Sequence, residues 1–214
     1  MKKYFSKKNL LIAGGILLLA LLANNARAAE VSGHMGVNSD YIWRGMNLSQ
    51  GPSVNANLDL NLDNGLYGGA WIGQVELDGS EASERLDWYA GFNKSIGGVS
   101  VDVSYIDYGF RGDSGLDFEE VKVGLGLFDD KVKLYHHVGM DDMLDYSEVQ
   151  MNMFKVADFS LGYVDELGTN WKISKGFDLL GGKLEVGYSE FNADDDALVE
   201  DEDSFFIGYS RKLF

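Results

Sequence analysis

Val54-Asn55-Ala56-Asn57-Leu58-Asp59-Leu60-Asn61-Leu62, followed by Asp63-Asn64-Gly65, decides the fold. Apolar and polar side chains alternate without a break, which puts every apolar group on one face of an extended chain and every polar group on the other. Asp-Asn-Gly then supplies the backbone freedom to reverse direction. Beyond the turn, Tyr67, Trp71 and Val75, with Gly69 and Gly73 between them, fall on one face, which is expected to continue the apolar one.

The same rhythm repeats outward from this hairpin. Leu86, Trp88, Ala90 and Phe92 oppose Asp87, Tyr89, Gly91 and Asn93, and Val99, Val101, Val103 and Tyr105 oppose Ser100, Asp102 and Ser104. Val121, Val123, Leu125 and Leu127 oppose Glu120, Lys122, Gly124 and Gly126, and less regular alternation surrounds Lys133, Trp171 and Val186. No apolar run after residue 28 approaches the length of a membrane-spanning helix.

The breaks alternate in kind. Tight turns are expected at Asp63-Asn64-Gly65, Ile96-Gly97-Gly98, Asp129-Asp130, Ala157-Asp158 and from Asp178 to Gly182. Longer loops run from Gly45 to Gly51, Asp78 to Glu84, Arg111 to Asp117, Asp141 to Asp145, Asp165 to Thr169 and Ala193 to Asp203. These eleven breaks define twelve strands. A soluble sandwich has no reason to keep tight turns at one end and loops at the other, whereas an outer-membrane barrel does. The expected fold is all-β: a transmembrane antiparallel up-and-down β-barrel of about twelve strands.

Export is written at the N-terminus. Lys2, Lys3, Lys7 and Lys8 precede an apolar run from Leu10 to Ala23 and then Ala26-Arg27-Ala28, the layout of a signal peptide over residues 1–28. That run reaches only about 21 Å as a helix, short of a hydrocarbon core of roughly 30 Å. Residues 29–214 then form one barrel domain. The sequence has no cysteine, which excludes a disulfide scaffold and thiolate metal sites.

Charge is partitioned. The chain has 34 acidic and 18 basic residues, and the expected long loops alone sum to −16. An acidic rim is either a device for solubility or a ring of carboxylates that concentrates cations at a pore mouth. It excludes a nucleic-acid surface, which needs a basic stripe. The densest run is Asp194, Asp195 and Asp196 with Glu200, Asp201, Glu202 and Asp203. It can gather divalent cations but is not an EF-hand loop, because Val199 stands where the glycine is required.

Charged residues on the polar faces cannot face lipid cheaply, at roughly 2 to 4 kcal/mol each at the bilayer midplane. Asp59, Asp87, Asp102, Lys122, Lys133 and Lys172 are therefore expected in the lumen, which is either a conduit or a plug of ion pairs. On the first strand, alternation sends Tyr41 and Trp43 toward the lipid interface and Asp40 and Arg44 inward. There Arg44 either narrows a pore or neutralises Asp40 or another lumen acid.

Ser39-Asp40-Tyr41-Ile42-Trp43-Arg44-Gly45, Gly51-Pro52-Ser53-Val54 and Gly65-Leu66-Tyr67-Gly68-Gly69-Ala70-Trp71 together resemble the TorF family of porins, exported outer-membrane proteins. The resemblance is strongest from about Val31 to Trp71 and implies a porin-like role in the cell outer membrane.

The C-terminal Phe214 is the terminal aromatic expected of such barrels and would engage the barrel-assembly machinery through the last strand. It is out of phase with Phe205, Ile207, Tyr209 and Leu213, which suggests a bulge near Arg211. An outer-membrane lipid hydrolase is the enzymatic rival. His34, His136 and His137 sit in no catalytic motif, however, and adjacent strand histidines point to opposite faces. No catalytic residue, metal site or cofactor is expected. The expected partners are outer-membrane lipid and small solutes or cations. The sequence thus points to a channel for passive diffusion, cation-biased, with a closed barrel that binds a ligand or serves a structural role through its acidic loops as the alternative.

Overall fold

The alternating segments become strands in the computed structural model, which describes residues 29–140, 143–153, 156–195, 197 and 199–214. The expected signal peptide lies outside the described residues. In chain order the strands are β1 (Ala29–Asn38), β2 (Ile42–Trp43), β3 (Met46–Asn47), β4 (Ser53–Leu62), β5 (Leu66–Gln74), β6 (Glu84–Ile96) and β7 (Val99–Arg111). They continue as β8 (Phe118–Leu127), β9 (Val132–Gly139), β10 (Tyr146–Met153), β11 (Ala157–Val164), β12 (Gly168–Leu179), β13 (Gly182–Ala193) and β14 (Glu202–Lys212). All but β2 and β3 pair antiparallel with their neighbours, and β1 pairs with both β4 and β14, closing a twelve-stranded up-and-down barrel.

Pairing fixes which face is which. Leu58 opposes Ala70 and Gly33 while Asp59 opposes Gly69 and Ser32, so apolar and polar rows alternate around the wall. The apolar rows face out and stay exposed, with Trp88 at 58%, Leu58 at 51% and Val101 at 47%. A ten-residue strand spans about 33 Å untilted, enough to carry this girdle across a bilayer.

On β5 the faces are opposite to the expected ones. Tyr67 and Trp71 share rows with Asn61 and Asn57 and point into the lumen. Leu66, Ala70 and Ile72 take the outer face.

Tight turns and loops segregate to opposite ends, here named the turn end and the loop end. Ala157 and Asp158 belong to β11, so that turn falls before them. Asp178 is likewise inside β12, and the reversal is only Leu180-Gly181. The first loop is the largest departure: β1 stops at Asn38, and residues 39–52 are loop. Glu202 and Asp203 belong to β14 and not to the preceding loop.

No bulge interrupts β14. Its pairing with β13 runs unbroken from Phe191↔Glu202 to Lys183↔Ser210, and with β1 from Asn38↔Gly208 to His34↔Lys212. The change of phase comes after the strand. Leu213 N still donates to Gly33 O at 2.8 Å, and the Phe214 ring lies over Gly33, where a Cβ would come within 2.8 Å of it. A terminal aromatic out of phase is thus accommodated by a glycine that leaves room on the neighbouring strand.

Buried apolar side chains gather at the loop end. One cluster is Val75, Ala82, Tyr108 and Phe110, and the other is Tyr146, Val164 and Phe191. Tyr108, Phe110, Tyr146, Val164 and Phe191 all stand on lumen-facing rows, and the first loop is what they pack against.

Candidate functional site

Residues 39–52 fold into the barrel as a hairpin. Trp43 pairs with Met46, and Arg44 (φ 51°) and Gly45 (φ 87°) form the two-residue turn between them. Both turn residues in the left-handed region is the type I′ geometry that suits a hairpin, and Gly occupies the second position, where it costs least. The Gly45 backbone approaches the far wall so closely that a Cβ there would sit 2.5 Å from Asn170 Cβ and 3.1 Å from Phe191 Cβ.

Hydrogen bonds hold the base of the hairpin. Ser39 N donates to Ile207 O at 2.8 Å and Asn47 N to a Glu202 carboxylate oxygen at 2.7 Å, which ties it to β14. Tyr41 N donates to Ser49 Oγ and Leu48 N to Tyr41 O, each at 2.8 Å, and Glu76 N donates to Leu48 O at 2.8 Å from the second loop. Tyr41 and Leu48 pack on the first apolar cluster and Met46 on the second, so the hairpin bridges both.

Two buried arginines lie at this level. Arg44 Nη2 donates to Glu120 Oε2 at 2.6 Å, and its guanidinium stands 4.2 Å from the Trp43 ring centroid and 4.3 Å from that of Tyr146. Tyr108 Oη donates to the same Glu120 oxygen at 3.0 Å, and His137 Nδ1 lies 2.9 Å from it. Glu120 has no exposed surface. Arg85 Nη2 donates to Asp87 Oδ2 at 2.9 Å, and its guanidinium lies 5.1 to 5.4 Å from the rings of Tyr41, Trp43, Trp71 and Tyr108. Trp43 therefore touches both cations. Burial raises the Tyr41 hydroxyl to about 12, an effect that the Arg85 guanidinium partly offsets.

This corrects the expected placement of the aromatics. Tyr41 and Trp43 do not face lipid but line the interior, because the chain leaves the sheet before them and the lumen offers rings and guanidinium groups to pack on.

Residues 22–120 match a family described as bacterial protein of unknown function, Gcw_chp. The match takes in the hairpin and ends at Glu120. Its description carries neither the TorF name nor a function. No curated protein sequence matches the chain.

Among solved structures, the KdgM porin is similar with a TM-score of 0.56 at 8% identity, over 85% of this chain and 98% of that one. The KdgM porin in complex with disordered oligogalacturonate also gives 0.56, at 7% identity over the same shares of the two chains. An outer membrane channel from Pseudomonas putida F1 gives 0.31 at 11% identity, over 86% of this chain and 95% of that one. At 8% identity the KdgM likeness speaks to the fold: this chain has the barrel architecture of a porin.

Below the hairpin the lumen is polar. Asp59 accepts from Tyr89 Oη and Asn57 Nδ2. Asp102 pairs with Lys122 Nζ at 3.0 Å and accepts from Tyr67 Oη at 2.8 Å. Lys133 and Lys172 line a cavity of about 360 Å³ at the turn end. Asp40 lies at the hairpin base, accepting from Asn47 Nδ2 at 3.1 Å, and is not beside Arg44's carboxylate.

At the loop end Asp194, Asp195, Glu200, Asp201, Glu202 and Asp203 are exposed, while Asp196 lies outside the described residues. Asp201 accepts from Ala193 N at 2.8 Å. Among the described residues no three acidic or histidine side chains converge as a metal site. Glu120, Arg85 and His137 were absent from the sequence-derived site, since a polar residue on an alternating strand carries no mark of whether loop or water covers it.

Proposed function

We propose that the protein is an outer-membrane channel for passive diffusion of small solutes, with the hairpin of residues 39–52 as its constriction and the acidic loops biasing the mouth toward cations. The observation that carries this reading is a polar lumen, ringed by an apolar outer girdle, crossed at one level by a hairpin that belongs to no wall strand and whose tip is held to the far wall by the Arg44–Glu120 ion pair. A loop held across the lumen by one ion pair at its tip is a constriction that loss of that pair can open. Exposed carboxylates concentrate cations at a mouth by electrostatic focusing. The loop end is read as the external face because long loops are external in outer-membrane barrels. Conductance of the refolded protein in a planar bilayer tests the channel, and the reversal potential in a salt gradient tests its selectivity.

A second reading is a closed barrel that acts through its loops. It is favoured by the packing at the hairpin level, where Phe191 and Glu120 are wholly buried and Arg85 is 4% exposed. Absence of conductance in wild type and in hairpin-released variants alike would select it.

A further inference from the structure

We propose that the turn-end half of the lumen binds small organic anions bearing both carboxylate and hydroxyl groups, through Lys133, Lys172 and Lys183. The proposal rests on the lumen being a solute-accessible site but not on its carrying current.

Strand pairing builds the site. Lys133 on β9 opposes Gln150 on β10, which opposes Ser160 on β11, which opposes Lys172 on β12. This is a continuous lumen-facing row of two ammonium groups, an amide and a hydroxyl, with no acid in it. Lys183 on β13 reaches into the same space, with its Cε 2.3 Å from where a Gly176 Cβ would stand, so the glycine makes room for it. The cavity these residues line measures about 360 Å³, within the size range of small-molecule sites.

Lys131 adds a fourth ammonium group to the lining, against the three carboxylates Asp130, Asp158 and Glu185, so the cavity keeps a net positive charge. Lys122, also in the lumen, pairs with Asp102 at 3.0 Å. Among the described residues Lys133, Lys172 and Lys183 have no carboxylate at ion-pair distance. Two of the acids lining the cavity point to neutral donors and not to the lysines, though they keep their charge: Asp130 accepts from Ser100 Oγ at 2.5 Å and Asp158 from Asn152 Nδ2 at 2.6 Å. Three ammonium groups without an ion pair, of which Lys172 has only the Phe206 ring at 5.9 Å, favour a carboxylate. Glu185 on the same wall repels a bare anion but accepts hydrogen bonds from hydroxyl groups. The combination selects a hydroxylated carboxylate over an inorganic ion.

The site sits opposite the acidic rim along the barrel axis, with the packed hairpin between. A solute entering from the turn end meets the lysines before it meets the constriction.

The test is calorimetric titration of the refolded full chain in detergent micelles with sodium gluconate, glucose and inorganic phosphate as probes. Gluconate should bind saturably, glucose not at all, and phosphate more weakly than gluconate. Lys133→Gln and Lys172→Gln should each weaken gluconate by about tenfold, the loss expected for one charged hydrogen bond. Lys94→Gln, on the outer face of β6, should leave it unchanged. Should either lumen variant fail to refold, the exposed Lys183→Gln gives the same reading. No saturable gluconate binding, equal affinity in the lysine variants, or phosphate binding as tight as gluconate would each overturn the proposal. Binding without current in wild type and in Arg44→Ala alike upholds the site and defeats the channel reading, and current without binding does the reverse.

Discussion

Arg44 at the tip of the first-loop hairpin and Glu120 on β8, 76 residues apart in sequence, meet at 2.6 Å with side chains 4% and 0% exposed. Two buried charges repay their desolvation only when each finds its partner in good geometry. The Tyr108 hydroxyl and His137 ring on the same Glu120 oxygen, and the Trp43 and Tyr146 rings 4.2 and 4.3 Å from the guanidinium, supply that geometry. The pair therefore acts as a latch between a loop and the barrel wall.

Removing one half of the latch is expected to release the hairpin. Arg44→Ala leaves Glu120 buried without its cation, at a cost of about 3 to 5 kcal/mol. Conductance of Arg44→Ala should exceed wild type while the barrel still migrates faster unheated than boiled on a detergent gel. Unchanged conductance would mean that the hairpin does not constrict the path.

The turn itself gives an independent handle. A side chain at Gly45 must accept φ 87° and meets Asn170 Cβ at 2.5 Å. The left-handed backbone alone costs roughly 1 to 2 kcal/mol. Gly45→Ala should lift the hairpin tip from β12 and expose the Arg44 peptide bond. Limited trypsin digestion read by mass spectrometry should then cut after Arg44 in the variant and spare that bond in wild type.

The strands and their segregated turns were legible because period two and Asp-Asn-Gly or Gly-Gly breaks are local signals, as from Val54 to Gly65 and at Gly97-Gly98. The hairpin was not. Asp40 to Arg44 alternates as β1 does, and only contacts with Arg85 and Tyr108, far along the chain, decide that Tyr41 and Trp43 turn inward. Tyr67 and Trp71 misled for the same reason, since a large ring packs equally well against lipid or against a lumen plug. The sequence left the last strand's register open, and the bulge expected near Arg211 is absent because the phase break belongs to Leu213 and Phe214, beyond the sheet.

Orientation is testable at single residues. A cysteine at Ser80 or Asp195, both at the loop end, should react with an impermeant thiol reagent on intact cells. One at Asn64 or Asp129, at the turn end, should not. The protein should also fractionate with the outer membrane, and recovery in the soluble periplasm would contradict a lipid-facing girdle.

Selectivity separates the rim from the lumen. Asp194, Asp195, Glu200 and Asp201 are exposed at the loop end, so their field is screened over about 8 to 10 Å at physiological salt. The lumen charges at the hairpin level instead cancel in pairs, Arg44 with Glu120 and Arg85 with Asp87. A cation preference arising at the rim should therefore fade as salt rises. Neutralising those four carboxylates to amides should lower the cation preference at low salt and change it little at high salt, with heat-modifiable migration intact. Asp87→Asn, which strips the buried Arg85 of its partner where screening is much weaker than at the rim, should shift selectivity toward anions at every salt concentration. Reversal potentials across a salt series distinguish the two. Anion preference in the wild type at low salt would place control of selectivity with the lumen lysines and not with the rim.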